Sequence, residues 1–322
     1  MEQHFGPKAI ILPDDGPRFR MNGKGVIGQI KLGPGEYPHY KFTAVRFDLQ
    51  PGAKLDLYAF RFSGRMIYCL DGAGTIILNG ERSPFAEEHF AHIGEGHHVA
   101  LENNGDNVQQ VFSIVFGSSP EARIDLMPIQ DDEPTLEFNI DLRAVFGLLT
   151  LTETKDLSER QKGELVYQLP DTGPSFWQAK PSVGWVEVKL APFTHNVHHY
   201  GLLMQTLYPG AAVREHAHNQ LNEFFIITKG TARAALDGVE AISVIVIGRN
   251  VWHWWGHAGE GDAQNFAVID PPGVEGALAL AGRLRTKGES WPDDIVRSPE
   301  TGKILHDRYG FVIKAGAADA QR

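Results

Sequence analysis

Short apolar stretches broken by turn residues occupy two regions of the chain. Residues 40–60 and 64–80 are rich in Phe, Tyr, Ile and Leu, and QPGAK at 50–54, LDGAG at 70–74 and LNGE at 78–81 interrupt them. The same texture returns at 183–270 in GWVEVKLAP, GLLMQTLYPG, EFFIITKGTARAALDG and AISVIVIG. Short strands punctuated by Gly, Pro and Asn predict an all-β sandwich or barrel. Between the two regions, 119–182 carries more charge and reads as a connection with short helical pieces around 141–149 and 157–164. The tail 283–322 is polar and loop-like until YGFVIKAG, which predicts a returning edge strand.

The two β regions read as copies of one unit. LQPGAKLDLYAF at 49–60 aligns with LYPGAAVREHAH at 207–218 at an offset of 158 residues, which sets Pro51-Gly52 on Pro209-Gly210 and Gly72 on Gly230. HIGEGHHV at 92–99 aligns with VIGRNVWH at 246–253 at an offset of 154, so the first copy has a longer intervening hairpin. An internal repeat of this kind fixes the architecture. Length agrees, since 322 residues exceed the roughly 250–300 that one core usually organises. The expected organisation is an N-terminal barrel over 1–120, a connection over 121–182, and a C-terminal barrel with an extension over 183–322.

Composition narrows the class of partner. The 35 glycines and 19 prolines accompany 42% apolar residues spread along the chain, so the excess marks turns rather than disorder. A formal charge of −10 without a Lys/Arg cluster offers no footprint for nucleic acid or an anionic membrane. Cys69 is the single cysteine, which rules out an intrachain disulfide. The amino terminus lacks the pattern of a signal peptide, and no run of about 18 apolar residues could span a membrane. A cytoplasmic protein is the expectation.

The chemistry is concentrated in the second copy, in the order Gly210, His216-Ala217-His218, Glu223, Gly230. Residues two apart on a strand share a face, so His216 and His218 point the same way, and a turn through 219–222 returns Glu223 beside them. Two imidazoles and a carboxylate suit a divalent first-row metal with open positions, Fe(II) first, with Mn, Co, Ni or Zn also accommodated. A fourth ligand is expected from VIGRNVWHWWGH at 246–257. The Ile-Gly match between the copies selects His253, with His257 the alternative.

On these residues the sequence resembles the cupin superfamily. Gly210, His216, His218, Glu223 and Gly230 match its first motif. Gly248, Asn250, His253 and His257 follow its second motif with departures at the usual Pro, Gly and final Asn. The resemblance covers about residues 40–118 and 183–270, and it implies tandem double-stranded β-helix (jelly-roll) barrels. In the first copy Tyr58, Phe60, Arg65 and Val99 stand at the four ligand positions, so the chain resembles a bicupin with metal in the C-terminal barrel only. Arg214 and Glu223 of the second copy correspond to Asp56 and Arg65 of the first. An Arg facing a barrel interior needs a partner, and an Asp56–Arg65 ion pair is the expectation.

Around the metal, Arg214 is a candidate clamp for a substrate carboxylate or enolate. Trp255 is a candidate aromatic wall, and His257 a candidate general base. His195, His198 and His199 read as a solvated strand end. Three classes of function follow. The first is an Fe(II) dioxygenase similar to ring-cleaving bicupins, cleaving a C–C bond in a hydroxylated aromatic or enolisable diketone. The second is a Lewis-acid isomerase, decarboxylase or hydrolase, and the third a binding protein without turnover. The expected partner is a small molecule, aromatic and anionic, with homo-oligomerisation through edge strands also anticipated.

Overall fold

A computed structural model describes residues 8–21, 25–33, 42–117, 119–121, 129–130, 133–138, 140–241 and 244–314. They belong to two compact units, one formed by residues 15–170 and the other by 171–322 together with 1–14. Both are all-β, and each contains two main sheets with its core between them.

In the unit spanning 15–170, a nine-stranded sheet carries Phe42–Leu49, Gln109–Phe116, Arg65–Asp71 and Phe90–Ile93 at its centre. A four-stranded sheet is built from Lys54–Asp56, Val99–Glu102, Ala73–Leu78 and Glu81–Ala86. Phe47, Ile67 and Val111 from the first sheet pack with Leu55, Ile76 and Leu101 from the second. In the other unit an eight-stranded sheet is centred on Asn222–Lys229, Ala263–Asp270 and Gly201–Leu207. Its companion has five strands in the order Val239–Ala241, Ala232–Leu236, His253–His257, His216–His218, Phe311–Ile313. Val186, Leu203 and Phe225 meet Ala234, Leu236 and Trp255 between them.

The registers repeat at the offsets read from the sequence. Arg65 lies opposite Ile93 and Val115 in the first unit, and Glu223 lies opposite Ile247 and Ile269 in the second. Leu78 pairs with Val99 as Leu236 pairs with His253. The turns repeat too. Gly72 and Gly230 both adopt left-handed φ, 79° and 68°, and a Cβ at either would run into a carbonyl oxygen, of Val108 or of Asp262. Glycine is the residue that such backbone tolerates.

Three features depart from the expected organisation. Residues 121–182 are more than a connection: Glu133–Leu136 and Leu165–Gln168 pair within the first unit's large sheet, and Ser175–Gln178 pairs with Gly184–Leu190 in the second. The helical pieces are there, as Ile140–Phe146, the single turn Leu151–Thr154 and a 3₁₀ turn Glu159–Gln161. Lys8–Ile11 forms an edge strand on Val244–Ile247, so this N-terminal segment belongs to the C-terminal unit. The tail is structured as well. Pro299–Tyr309 is a helix, begun by Ser298 accepting a hydrogen bond from the Thr301 amide and ended at Gly310 in the left-handed region. The strand anticipated in YGFVIKAG is present as Phe311–Ile313, paired with His216–His218 at the edge of the five-stranded sheet. Residues 315–322 lie outside the described residues.

Candidate metal centre

His216 and His218 occupy alternate positions of one strand, and His216 pairs directly with His253 on the next. Glu223 reaches the same point from the opposing sheet, near the start of Asn222–Lys229. The cluster therefore bridges the two layers of the sandwich. One ligand atom from each residue lies within 4.8 Å of all the others. Glu223 Oε2 is 3.3 Å from His218 Nε2 and 3.4 Å from His253 Nε2. Among the described residues this is the one cluster of three or more His, Cys, Asp or Glu side chains with that convergence.

The donors are prepared for a metal. His216 Nδ1 bonds the Arg214 carbonyl at 2.8 Å and His253 Nδ1 bonds the Val251 carbonyl at 3.0 Å, which places the proton on Nδ1 and frees Nε2. His253 Nε2 and both ring nitrogens of His218 are buried without a hydrogen-bond partner. Orphaned buried nitrogens are rare unless something coordinates them. Donors about 2.0–2.2 Å from an ion stand roughly 2.8–3.6 Å apart when adjacent, a range that includes the Glu223 contacts to His218 and His253. Phe311 supports the pair, stacked on His216 at 5.4 Å and edge-on to His218 at 4.5 Å.

Electrostatics point the same way. Burial, reinforced by the charges of His253 and His218, holds the His216 imidazole well below its ordinary range. Burial also lowers His218, against the pull of Glu223. Burial alone would raise the Glu223 carboxyl, but His218 and His253 beside it outweigh that and keep it well below the usual carboxylate range. The favoured donor set is neutral imidazole with ionised carboxylate, which a divalent cation of intermediate softness prefers.

The cluster opens onto a cavity where His216, Glu223 and His253 meet apolar Phe225, Val274 and Phe311. Arg214 and Trp255 line it; Trp255 is anchored by an Nε1 hydrogen bond to Gln205 at 2.9 Å. His257 is not brought to the cluster or to the cavity wall. It sits at the strand end opposite Ala232, and its Nδ1 accepts a hydrogen bond from the Gly210 amide at 3.2 Å. The strand's alternation alone could not separate His253 from His257. Their pairing does, because His253 faces His216 while His257 meets the turn at Gly210. His198 and His199 are exposed in the loop before Gly201–Leu207.

Sequence reasoning missed Arg297, which also lines the cavity. It lies in the polar stretch before the Ser298 cap, and the SPETG run was the available signal that a helix would fix this segment.

The first unit holds Tyr58, Phe60, Arg65 and Val99 at the corresponding positions. Arg65 is buried and pairs with Glu121 at 3.0 Å, not with Asp56; it also donates to Ser113 at 3.1 Å and lies over the Phe60 ring. Asp56 instead contacts His98 Nε2 at 3.0 Å and is half exposed. The expected pair fails because Asp56 ends a three-residue strand at the surface, whereas Glu121, which follows the central strand Gln109–Phe116, reaches the interior. His97 is committed to Asn79 and the Gly163 carbonyl.

No family model matches the sequence, and none of the curated proteins does. Solved structures do. Protein Ylba from E. coli superposes with a TM-score of 0.57 at 13% identity, over 83% of this chain and 92% of that one. The chain has the cupin fold. An oxalate decarboxylase from Bacillus subtilis gives a TM-score of 0.54 at 14% identity, covering 84% and 78%. Procruciferin, an 11S globulin from Brassica napus, gives 0.54 at 12%, covering 84% and 85%. An enzyme and a globulin thus share the architecture, and the fold by itself selects no chemistry.

Proposed function

We propose that the chain is a bicupin enzyme with one mononuclear metal centre, in the C-terminal unit, that cleaves a carbon–carbon bond in a small oxygen-chelating organic anion, with Fe(II) and dioxygen as the first choice of metal and co-substrate. The observation that carries this reading is the position of three of the four donors, His216, Glu223 and His253, on the wall of a cavity. His216, His218, Glu223 and His253 would hold the ion and leave about two sites of an octahedron for exogenous ligands. When bound, the ion supplies Lewis acidity and a place where substrate oxygens and dioxygen meet.

The chain's own residues set the rest. The Arg214 and Val251 carbonyls fix the tautomers of His216 and His253. Arg214 faces the cavity with its Nε free of any partner among the described residues, placed to receive an anionic oxygen. Trp255, Phe225 and Phe311 give the cavity an apolar side that suits a flat substrate and limits water.

A second reading, non-oxidative decarboxylation with Mn(II), is favoured by one observation: two guanidiniums, of Arg214 and Arg297, face the cavity. The oxalate decarboxylase that shares the fold has Mn(II) centres. Anaerobic reconstitution with Fe(II) or Mn(II), followed by oxygen-electrode assays on catechols, hydroquinones, salicylates and β-diketones, separates the two. Fe-dependent oxygen uptake with one compound is the expected result. Equal turnover with Mn(II) in the absence of oxygen would overturn the dioxygenase reading in favour of the second.

A further inference from the structure

Arg214 follows the turn that leads into the strand His216–His218, and Arg297 comes from the segment before helix Pro299–Tyr309. They are remote in sequence, yet both line the cavity that contains the His and Glu donors. Neither guanidinium has a carboxylate partner among the described residues, and the Nε of each is buried without a hydrogen bond. Two other arginines of this unit are matched: Arg285 lies against Asp171, and Arg283 against Asp294. Burial, and then the charge of Arg214, lower the Arg297 guanidinium from its ordinary value. Two like charges held partly out of water without a counterion destabilise the empty protein. Glu223, the acid on that wall, lies 3.3 and 3.4 Å from His218 and His253 and pairs with neither arginine among the described residues. An anion entering the cavity is what would balance them.

We infer that Arg214 and Arg297 form an anion subsite beside the donor cluster, and that the ligand is a small dicarboxylate with one end toward the cluster and the other held by the two guanidiniums. The orientation of the first end rests on the metal reading above, whereas the arginine subsite stands without it. A monocarboxylate could engage the arginines or the donor cluster but not both. Guanidiniums bind carboxylates through paired N–H donors, so selectivity is expected to reside in this pair.

Titration of the protein loaded with redox-inert Zn(II) with malonate and succinate, against acetate and propionate, tests this through tryptophan fluorescence and melting temperature. The dicarboxylates are expected to bind about tenfold tighter or more, the scale of one charge-assisted contact. Arg297→Gln should abolish that preference and raise the melting temperature of the ligand-free protein, because the repulsion is gone. Arg214→Gln should abolish the preference as well, and Arg297→Lys should keep part of it. A wild-type protein without the preference, or an Arg297→Gln variant that keeps it in full, would overturn the inference. Zinc content is measured on the same samples, so either failure with the ion still bound leaves the metal centre untouched. Metal retained by His216→Ala would sink the metal reading and leave this one standing.

Discussion

Glu275 fills the space that Gly201 leaves by lacking a Cβ; a methyl group there would overlap its Oε1. Its Oε2 accepts a hydrogen bond from the Gly273 amide at 2.6 Å, and Oε1 is buried without a partner. Burial, to which the charge of Glu223 adds, pushes this carboxyl up from 4.5 to about 7. A folded pKa above the unfolded one means that the folded state holds the proton more tightly. Stability is then greatest below about pH 4.5 and falls as pH rises through 7, by at most about 3 kcal/mol from this group. In melts of the metal-free protein between pH 5 and pH 8 the buried neutral His216 and His218 add stability as pH rises, so the Glu275 contribution is read as the difference from Glu275→Gln, which should gain stability relative to the wild type as pH rises. A profile unchanged by the substitution would show that Glu275 does not titrate there. Position 65 illustrates the limit of reading residues one by one. Its burial and its need for a counter-charge were legible in the sequence, because Arg stands where a ligand would be. Its partner was not, because Glu121 comes from a stretch with no repeat to align it.

At the scale of elements, the strand His216–His218 is clamped between His253–His257 and Phe311–Ile313, so the last strand of the chain supports the centre. Phe311→Ala removes the ring stacked on His216. For a half-buried ring the expected loss is about 1–2 kcal/mol of stability. Metal should also leave faster in the presence of a chelator. Unaltered retention would mean that the two carbonyl bonds to His216 and His253 suffice to orient the ligands. This strand was legible as an apolar patch at the end of a polar tail. The helix before it was not, since Pro299–Tyr309 presents no sustained apolar stripe and buries only Leu305. Its capping residues, Ser298 and Gly310, were the readable signal. Lys8–Ile11 escaped the sequence for another reason: four residues show too little alternation to reveal that they pair with Val244–Ile247. The ligand set itself was legible because alternation on a strand and a short turn are local rules. Arg297, more than 70 residues beyond Glu223, is brought in by tertiary packing alone.

For the whole molecule, two units carry the same registers at the same offsets and differ in what fills the ligand positions. In one, buried Arg65 and Glu121 neutralise each other under Phe60; in the other, a carboxylate converges with imidazoles whose nitrogens, of His218 and His253, lack hydrogen-bond partners. We propose that the second unit alone holds metal. The most direct test is the metal content of the full chain after reconstitution with Fe(II) and removal of excess ion. One ion per chain is predicted, lost in the His216→Ala/His218→Ala double variant and kept in Tyr58→Phe. Two ions per chain, or one ion retained by the double variant, would contradict it.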